Sequence, residues 1–160
     1  MRLNWEEAIL PRIDAIDEVI IDSAPIEVYK ALLDEVSGVT HWWMPYMAFK
    51  LKGDIPIDQE GAVYEATISP TSRMNVKFSA KMTEIVEGKL IEEEVSGSFI
   101  GTASWTFEQI DGKTKAKHQF NARTNGLIYS IFAPFVDYRK NHSEIMQKGF
   151  KALISYLSKK

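Results

Sequence analysis

The 160-residue sequence contains no cysteine. That excludes disulfides, thiolate nucleophiles and cysteine-based zinc sites, and it fits a reducing compartment. No apolar run approaches the roughly 20 residues that a membrane-spanning helix needs. Met1–Glu7 carries charge early and lacks the apolar stretch of a secretory signal, so the expectation is a cytoplasmic protein with no stable membrane insertion. An excess of positive charge is missing too: 19 Lys and Arg stand against 22 Asp and Glu, for a net charge of -3. With no basic cluster interleaved with aromatics, nucleic acid is not an expected partner. The three histidines, His41, His118 and His142, have no metal-ligand spacing. A glycine-rich phosphate loop and a serine nucleophile elbow are also lacking, so neither metal nor cofactor is expected. What is present is an ordinary globular composition, 45% hydrophobic and 26% charged. It is enough for one real core. Without linkers or repeats the chain reads as a single domain over residues 1–160, with 1–13 as a lead-in.

Ile16–Asp22 is a β-branched run that predicts a strand. Ser23, Ala24, Pro25 and Glu27 then supply a helix start: a small capping hydroxyl, proline in the first turn and an acid at the positive end of the dipole. Ile26, Tyr29, Leu32 and Leu33 form the apolar stripe of a helix that ends before Gly38. A second short helix is expected over Val39–Met44, stopped by Pro45. Six strands follow, over Tyr46–Lys52, Ala62–Ser69, Met74–Val86, Leu90–Val95, Phe99–Ile110 and Thr114–Arg123, divided by turn residues.

Asp111-Gly112 is the strongest hairpin signal, because a two-residue type I′ turn needs positive φ at both positions. It sets a register in which Ile110 faces Lys113, Phe107 faces Ala116, Trp105 faces His118 and Ala103 faces Phe120. Phe107, Trp105 and Ala103 then share a face with Ala116, His118 and Phe120, while Lys115, Lys117 and Gln119 share the other. His118 therefore points inward beside Trp105. Glu87-Gly88 is a weaker turn of the same kind. In the strand after it Ile91 and Val95 belong to the core, and a period of two puts Glu93 with them. Either that strand bulges or a carboxylate looks into the core.

On a helical wheel Phe135–Leu157 is amphipathic. Asp137, Asn141, Glu144, Lys148, Lys151 and Ser155 fall on one side. Phe135, Met146, Phe150, Leu153 and Leu157 fall on the other, and Arg139 and His142 fall among them. The order is strand, two short helices, six strands, long helix. A long antiparallel sheet must cover its apolar face, and the last helix is the only element large enough. The architecture is α+β, a curved sheet of about seven strands wrapped around the C-terminal helix.

Three segments carry a resemblance to a known family. The opening IIDSAPIEVYKALLD, the central GSFIGTASWTFEQIDGKTKAKHQF and the closing HSEIMQKGFKALISYL resemble the strand–helix start, central hairpin and final helix of the START-like superfamily, also called polyketide cyclase/dehydrase and lipid-transport or SRPBCC proteins. The resemblance covers about Asp14 to Leu157. It implies a helix-grip fold with a cavity between sheet and long helix. It implies no particular reaction, since the superfamily includes carriers, cyclases, receptors and chaperone activators.

Arg139 either snorkels past the helix start or pairs with Glu93 as a buried ion pair, with His142 bonding a backbone carbonyl, or Arg139 and His142 together orient an anionic or carbonyl-bearing ligand. His118 is either a satisfied core histidine or an acid/base acting on an enolisable ketone. One of Trp42 and Trp43 anchors the short helices, and the other belongs at the cavity rim. With Trp105, Phe107, Phe120 and Met146 these residues make up the expected ligand site. The expected function is a soluble protein, monomer or homodimer, that holds a hydrophobic small molecule such as a lipid, quinone or polyketide-like compound. The alternative is a cyclase or dehydratase using His118 in the same cavity.

Overall fold

The computed structural model describes residues 10–132 and 134–160. Most of the expected lead-in, residues 1–9, lies outside them. The described elements are β1 (Arg12–Ile21), α1 (Pro25–Val36), β2 (Met47–Lys52), β3 (Val63–Ile68), β4 (Val76–Val86), β5 (Leu90–Gly97), β6 (Phe99–Ile110), β7 (Lys113–Thr124), α2 (Leu127–Phe132) and α3 (Tyr138–Ser158). The seven strands form one sheet in the order β1-β7-β6-β5-β4-β3-β2, with every neighbouring pair antiparallel. β2 to β7 run as a meander. β1 closes it by pairing with the last strand, and α3 packs mainly along β1.

Turn chemistry sets the centre of the sheet. Asp111 and Gly112 both have positive φ, 48° and 76°, as a type I′ turn requires. The β6–β7 register follows from it: Ile110 pairs with Lys113, Phe107 with Ala116, Trp105 with His118 and Ala103 with Phe120. Along β7 every second side chain from Thr114 to Thr124 is buried. In β5 Ile91, Glu93 and Val95 are buried together, so the Glu93 carboxylate does look inward. The irregularity lies instead in the neighbouring strand, where the β4 register shifts between Met82 and Glu84.

The expected helix over Val39–Met44 is absent. Here the chain makes a turn around the carboxylate of Glu35, which accepts the Thr40 hydroxyl at 2.8 Å and the backbone N–H groups of Trp42 and Trp43 at 2.9 and 2.8 Å. Those N–H groups have a side-chain acceptor and need no helix. The helix order also differs. The extra short helix is α2, just before α3, in an apolar segment with no amphipathic period to mark it. At α1 the N-cap is Ala24, which offers no side-chain bond, so the expected hydroxyl cap of Ser23 is one residue too early. α3 begins at Tyr138 because the Asp137 side chain caps it by accepting the Lys140 N–H at 3.0 Å. Phe135, expected on the inner face, lies before that cap and is 84% exposed.

Candidate functional site

A cavity of about 380 Å³ lies between the concave sheet face and α3. Its wall is largely apolar, with aromatic groups from several elements: Trp105 and Phe120 from β6 and β7, Tyr64 from β3, Phe78 from β4, Phe99 from β6 and Trp43 from the turn after α1. α3 adds His142, Ile145 and Met146. Asn141, Glu144 and Lys148 line the cavity and are exposed, so they stand where it opens to solvent.

Trp43 is held by contacts at both ends. Its N–H is bound by Glu35, and its indole Nε1 donates to the Ile145 carbonyl at 3.2 Å. The indole lies against the bare Cα of Gly149, so that a methyl there would collide with the ring. Alanine is the better helix former by about 1 kcal/mol, but overpacking a filled core costs about 1–3 kcal/mol. Gly149→Ala is therefore expected to lower the melting temperature and shift tryptophan fluorescence. A raised melting temperature would refute this packing account.

Two polar groups interrupt the apolar wall. In the first, the Tyr64 hydroxyl donates to Glu93 Oε1 at 2.8 Å, and both residues are buried. Burial pushes the Glu93 carboxyl up to about 7 against the opposing bond from Tyr64. Burial, with the Glu93 charge adding, pushes the Tyr64 hydroxyl well above its usual range.

The second group joins three elements. Asp17 of β1 is the cross-strand partner of His118 of β7, and both are buried. His142 of α3 lies over them. Its Nε2 is 3.9 Å from Asp17 Oδ2, and its ring centroid is 5.7 Å from that of His118 and 4.6 Å from that of Phe120. Trp105 covers the other side of His118, with centroids 4.6 Å apart. Burial pushes His118 well below its usual range, helped by His142. Burial also lowers His142 to about 4, with the Asp17 charge pulling the other way. Both rings are neutral at working pH.

Of the residues expected at the site, Trp43, Glu93, Trp105, His118, Phe120, His142 and Met146 line one cavity. Three do not. Arg139 is exposed and sits outside, beside Pro11, Arg12 and the segment from Pro134 to Tyr138. It shares the angular stripe of Met146, but in the first turn that stripe has run past the concave face, and the guanidinium stays in water near Asp14. Of the two structural alternatives for Arg139, the Glu93 ion pair is not formed, since Tyr64 takes that place, and the exposed side chain agrees with the other. Trp42 turns away from the cavity, stacked on Trp43 with centroids 5.5 Å apart and donating from Nε1 to the Ala31 carbonyl. Phe107 is core, edge-on to Tyr29 of α1 at 5.8 Å, and does not reach the cavity.

Sequence reasoning missed Tyr64 and Asp17. The period of two was there to find both. Tyr64 shares its face with Ala66, and Asp17 with Ile13, Ala15 and Ile21. The signal at β1 was masked because its outer face is apolar as well: Ile16 and Ile20 are 59% and 49% exposed.

No family model and no curated protein matches the chain. Solved structures do share its fold. Ara h 8.0201 matches with a TM-score of 0.69 at 18% identity, over 94% of this chain and 100% of that one. Protein CV1439 from Chromobacterium violaceum matches with 0.65 at 16%, over 89% and 95%. The di-domain ARO/CYC StfQ from the steffimycin biosynthetic pathway matches with 0.71 at 12%, over 97% of this chain and 53% of its own length. The fold shared with them is the α+β helix-grip fold, a seven-stranded antiparallel sheet with a long C-terminal helix. Among the described residues no helix is long and apolar enough to cross a membrane.

Proposed function

We propose that this chain binds a hydrophobic small molecule in the cavity between sheet and α3, as a monomer or homodimer. A lipid, a quinone or a polyketide-like aromatic would suit it. The observation that carries the reading is the cavity itself. At about 380 Å³ it falls in the ~300–1,000 Å³ range of small-molecule sites, and its apolar lining with a few convergent polar groups is what such sites use. Interiors are otherwise close-packed, so a void of this size is not the outcome of core packing alone. The fold shared with the ARO/CYC protein StfQ agrees with an aromatic occupant for this wall. Trp43, Glu93, Trp105, His118, Phe120, His142 and Met146 are the assigned ligand contacts.

Native mass spectrometry of protein purified from its own host, followed by organic extraction, tests the reading. The expected result is a non-covalent adduct released into the organic phase. Ala103 lines the cavity at mid-strand, paired with Glu93 on one side and Phe120 on the other. Ala103→Trp should fill the void and weaken N-phenyl-1-naphthylamine, a neutral fluorescent probe, by at least about tenfold. Undiminished probe binding in that variant would place the ligand elsewhere.

A further inference from the structure

We propose that Asp17, His118 and His142 form a built subsite that receives an uncharged hydroxyl of the ligand, and that the cavity rejects the matching carboxylate. This rests on the cavity-binding reading above and adds the functional group the ligand must carry. The three side chains come from β1, β7 and α3. Asp17 Oδ2, His118 Nδ1 and His142 Nε2 are all buried, and none has a hydrogen-bond partner among the described residues. Three such atoms in one place are rare in a folded core, where buried polar groups are paired.

A neutral imidazole carries one N–H and one bare nitrogen, and the partner of the first decides the role of the second. Asp17 Oδ2 lies 3.9 Å from His142 Nε2, beyond hydrogen-bond distance, and Asp17 is the cross-strand partner of His118; its carboxylate favours an N–H on the side of each ring that faces it. With the N–H groups on that side, the opposite nitrogens, His118 Nε2 and His142 Nδ1, are bare. Both rings line the cavity, and neither of these nitrogens is among the buried atoms without a partner. Asp17 does not line it. It is a positioning residue, and the imidazoles are the contacts.

The imidazole end of the cavity therefore presents two bare acceptor nitrogens, and the Glu93 carboxyl, held by the Tyr64 hydroxyl, stands at the other end. Glu93 and His118 stand on β5 and β7, two strands apart. That is roughly 10 Å across the sheet, about the width of a two-ring body. No cation stands inside among the described residues, since Arg139 is outside and Lys148 is at the opening, 4.6 Å above the Tyr46 ring. A carboxylate at the imidazoles would meet lone pairs with no counter-charge. An ammonium would lose its hydration without reaching Asp17, which lies behind the rings. A hydroxyl donates one hydrogen bond and brings no charge to desolvate. The three residues do not close into a metal-binding group either.

The test uses four compounds with one body: naphthalene, 2-naphthol, 2-naphthoate and 2-naphthylmethylammonium. Affinity for the full chain is read by tryptophan quenching at pH 7.5. The expected order has 2-naphthol tighter than naphthalene and than 2-naphthoate by about tenfold or more, the factor one well-placed hydrogen bond supplies. Asp17→Asn and His142→Phe should each cut the naphthol advantage several-fold and leave naphthalene within about twofold, so the ring variant decides the matter if the first does not fold. In ¹⁵N spectra the bare His142 Nδ1 signal of the wild type should be altered in Asp17→Asn. Equal affinity for naphthol and naphthalene, or preference for the acid or the amine, overturns the subsite while the cavity reading stands. Failure of all four, naphthalene included, overturns the cavity reading itself.

Discussion

Replacing Glu35 by alanine is expected to remove about 3–5 kcal/mol of folding stability, read as a lower urea midpoint with an unchanged slope. The Glu35 side chain is only 1% exposed, and both of its oxygens are occupied. Oε1 accepts the buried N–H of Trp43, and Oε2 accepts the Trp42 N–H together with the Thr40 hydroxyl. Hydrogen bonds to a charged acceptor contribute about 1.5–3 kcal/mol each, and they do not add fully. Their loss would also strand a buried donor with no water to replace the carboxylate. Glutamine should not restore the wild type. Its amide oxygen can keep one side of the arrangement, but its NH₂ must then face a donor. Glu35→Gln is expected to fall between alanine and wild type. Because the same turn delivers Trp43 to the cavity wall, both variants should weaken N-phenyl-1-naphthylamine as well. A Glu35→Ala protein as stable as wild type would mean that the turn is held by something other than this carboxylate.

That turn also shows where local sequence rules stop. Spacing and Pro45 suggest a helix over Val39–Met44, because a side-chain acceptor seven or eight residues upstream leaves no periodic trace. The β6–β7 hairpin was legible to the residue. A type I′ dipeptide and two alternating strands specify the same register independently, and a slip by one residue would put Lys115 and Lys117 inside. Glu93 was legible for the same reason. The long helix was legible as an element but not in its first turn. A wheel carries angles and no information about where the sheet ends beneath the helix, so it puts Arg139 and Phe135 inside when both stand in water. Along β1 two apolar faces compete, and the odd-numbered one, with Asp17 in it, wins because it meets His118 and α3. The cavity lining was thus legible on β5, β6 and β7, where the period is two, except at Phe107, and it was not legible at Tyr64 of β3. The candidate site was recovered only in part on the helix, and its third member, Asp17, lay on an edge strand.

The Glu93→Gln variant should gain on wild type as the solution is made alkaline, by about 3 kcal/mol between pH 4.5 and pH 8. Burial raises the Glu93 carboxyl from its usual value near 4.5 to about 7. Each pH unit that separates the folded from the unfolded value is worth about 1.4 kcal/mol. The folded chain holds this proton more tightly than the unfolded chain does. The contribution is therefore complete below pH 4.5, declines as the pH rises through 7, and is gone above it, where an ionised carboxylate sits in an apolar wall. The imidazoles act in the opposite sense. His118 and His142 are both lowered by burial, so their contribution is complete above pH 6.5 and is lost on acidification, for His142 down toward 4. In wild type the two effects oppose each other between pH 4.5 and 6.5. With two imidazoles against one carboxyl, stability rises with pH across that window and levels near neutrality. Glutamine keeps a carbonyl for the Tyr64 hydroxyl but cannot ionise, so the variant retains the histidine slope alone. Urea midpoints at pH 5, 6.5 and 8 for the two proteins check this. A constant difference at all three would mean that Glu93 titrates as it does in water and that the cavity wall around it is wet.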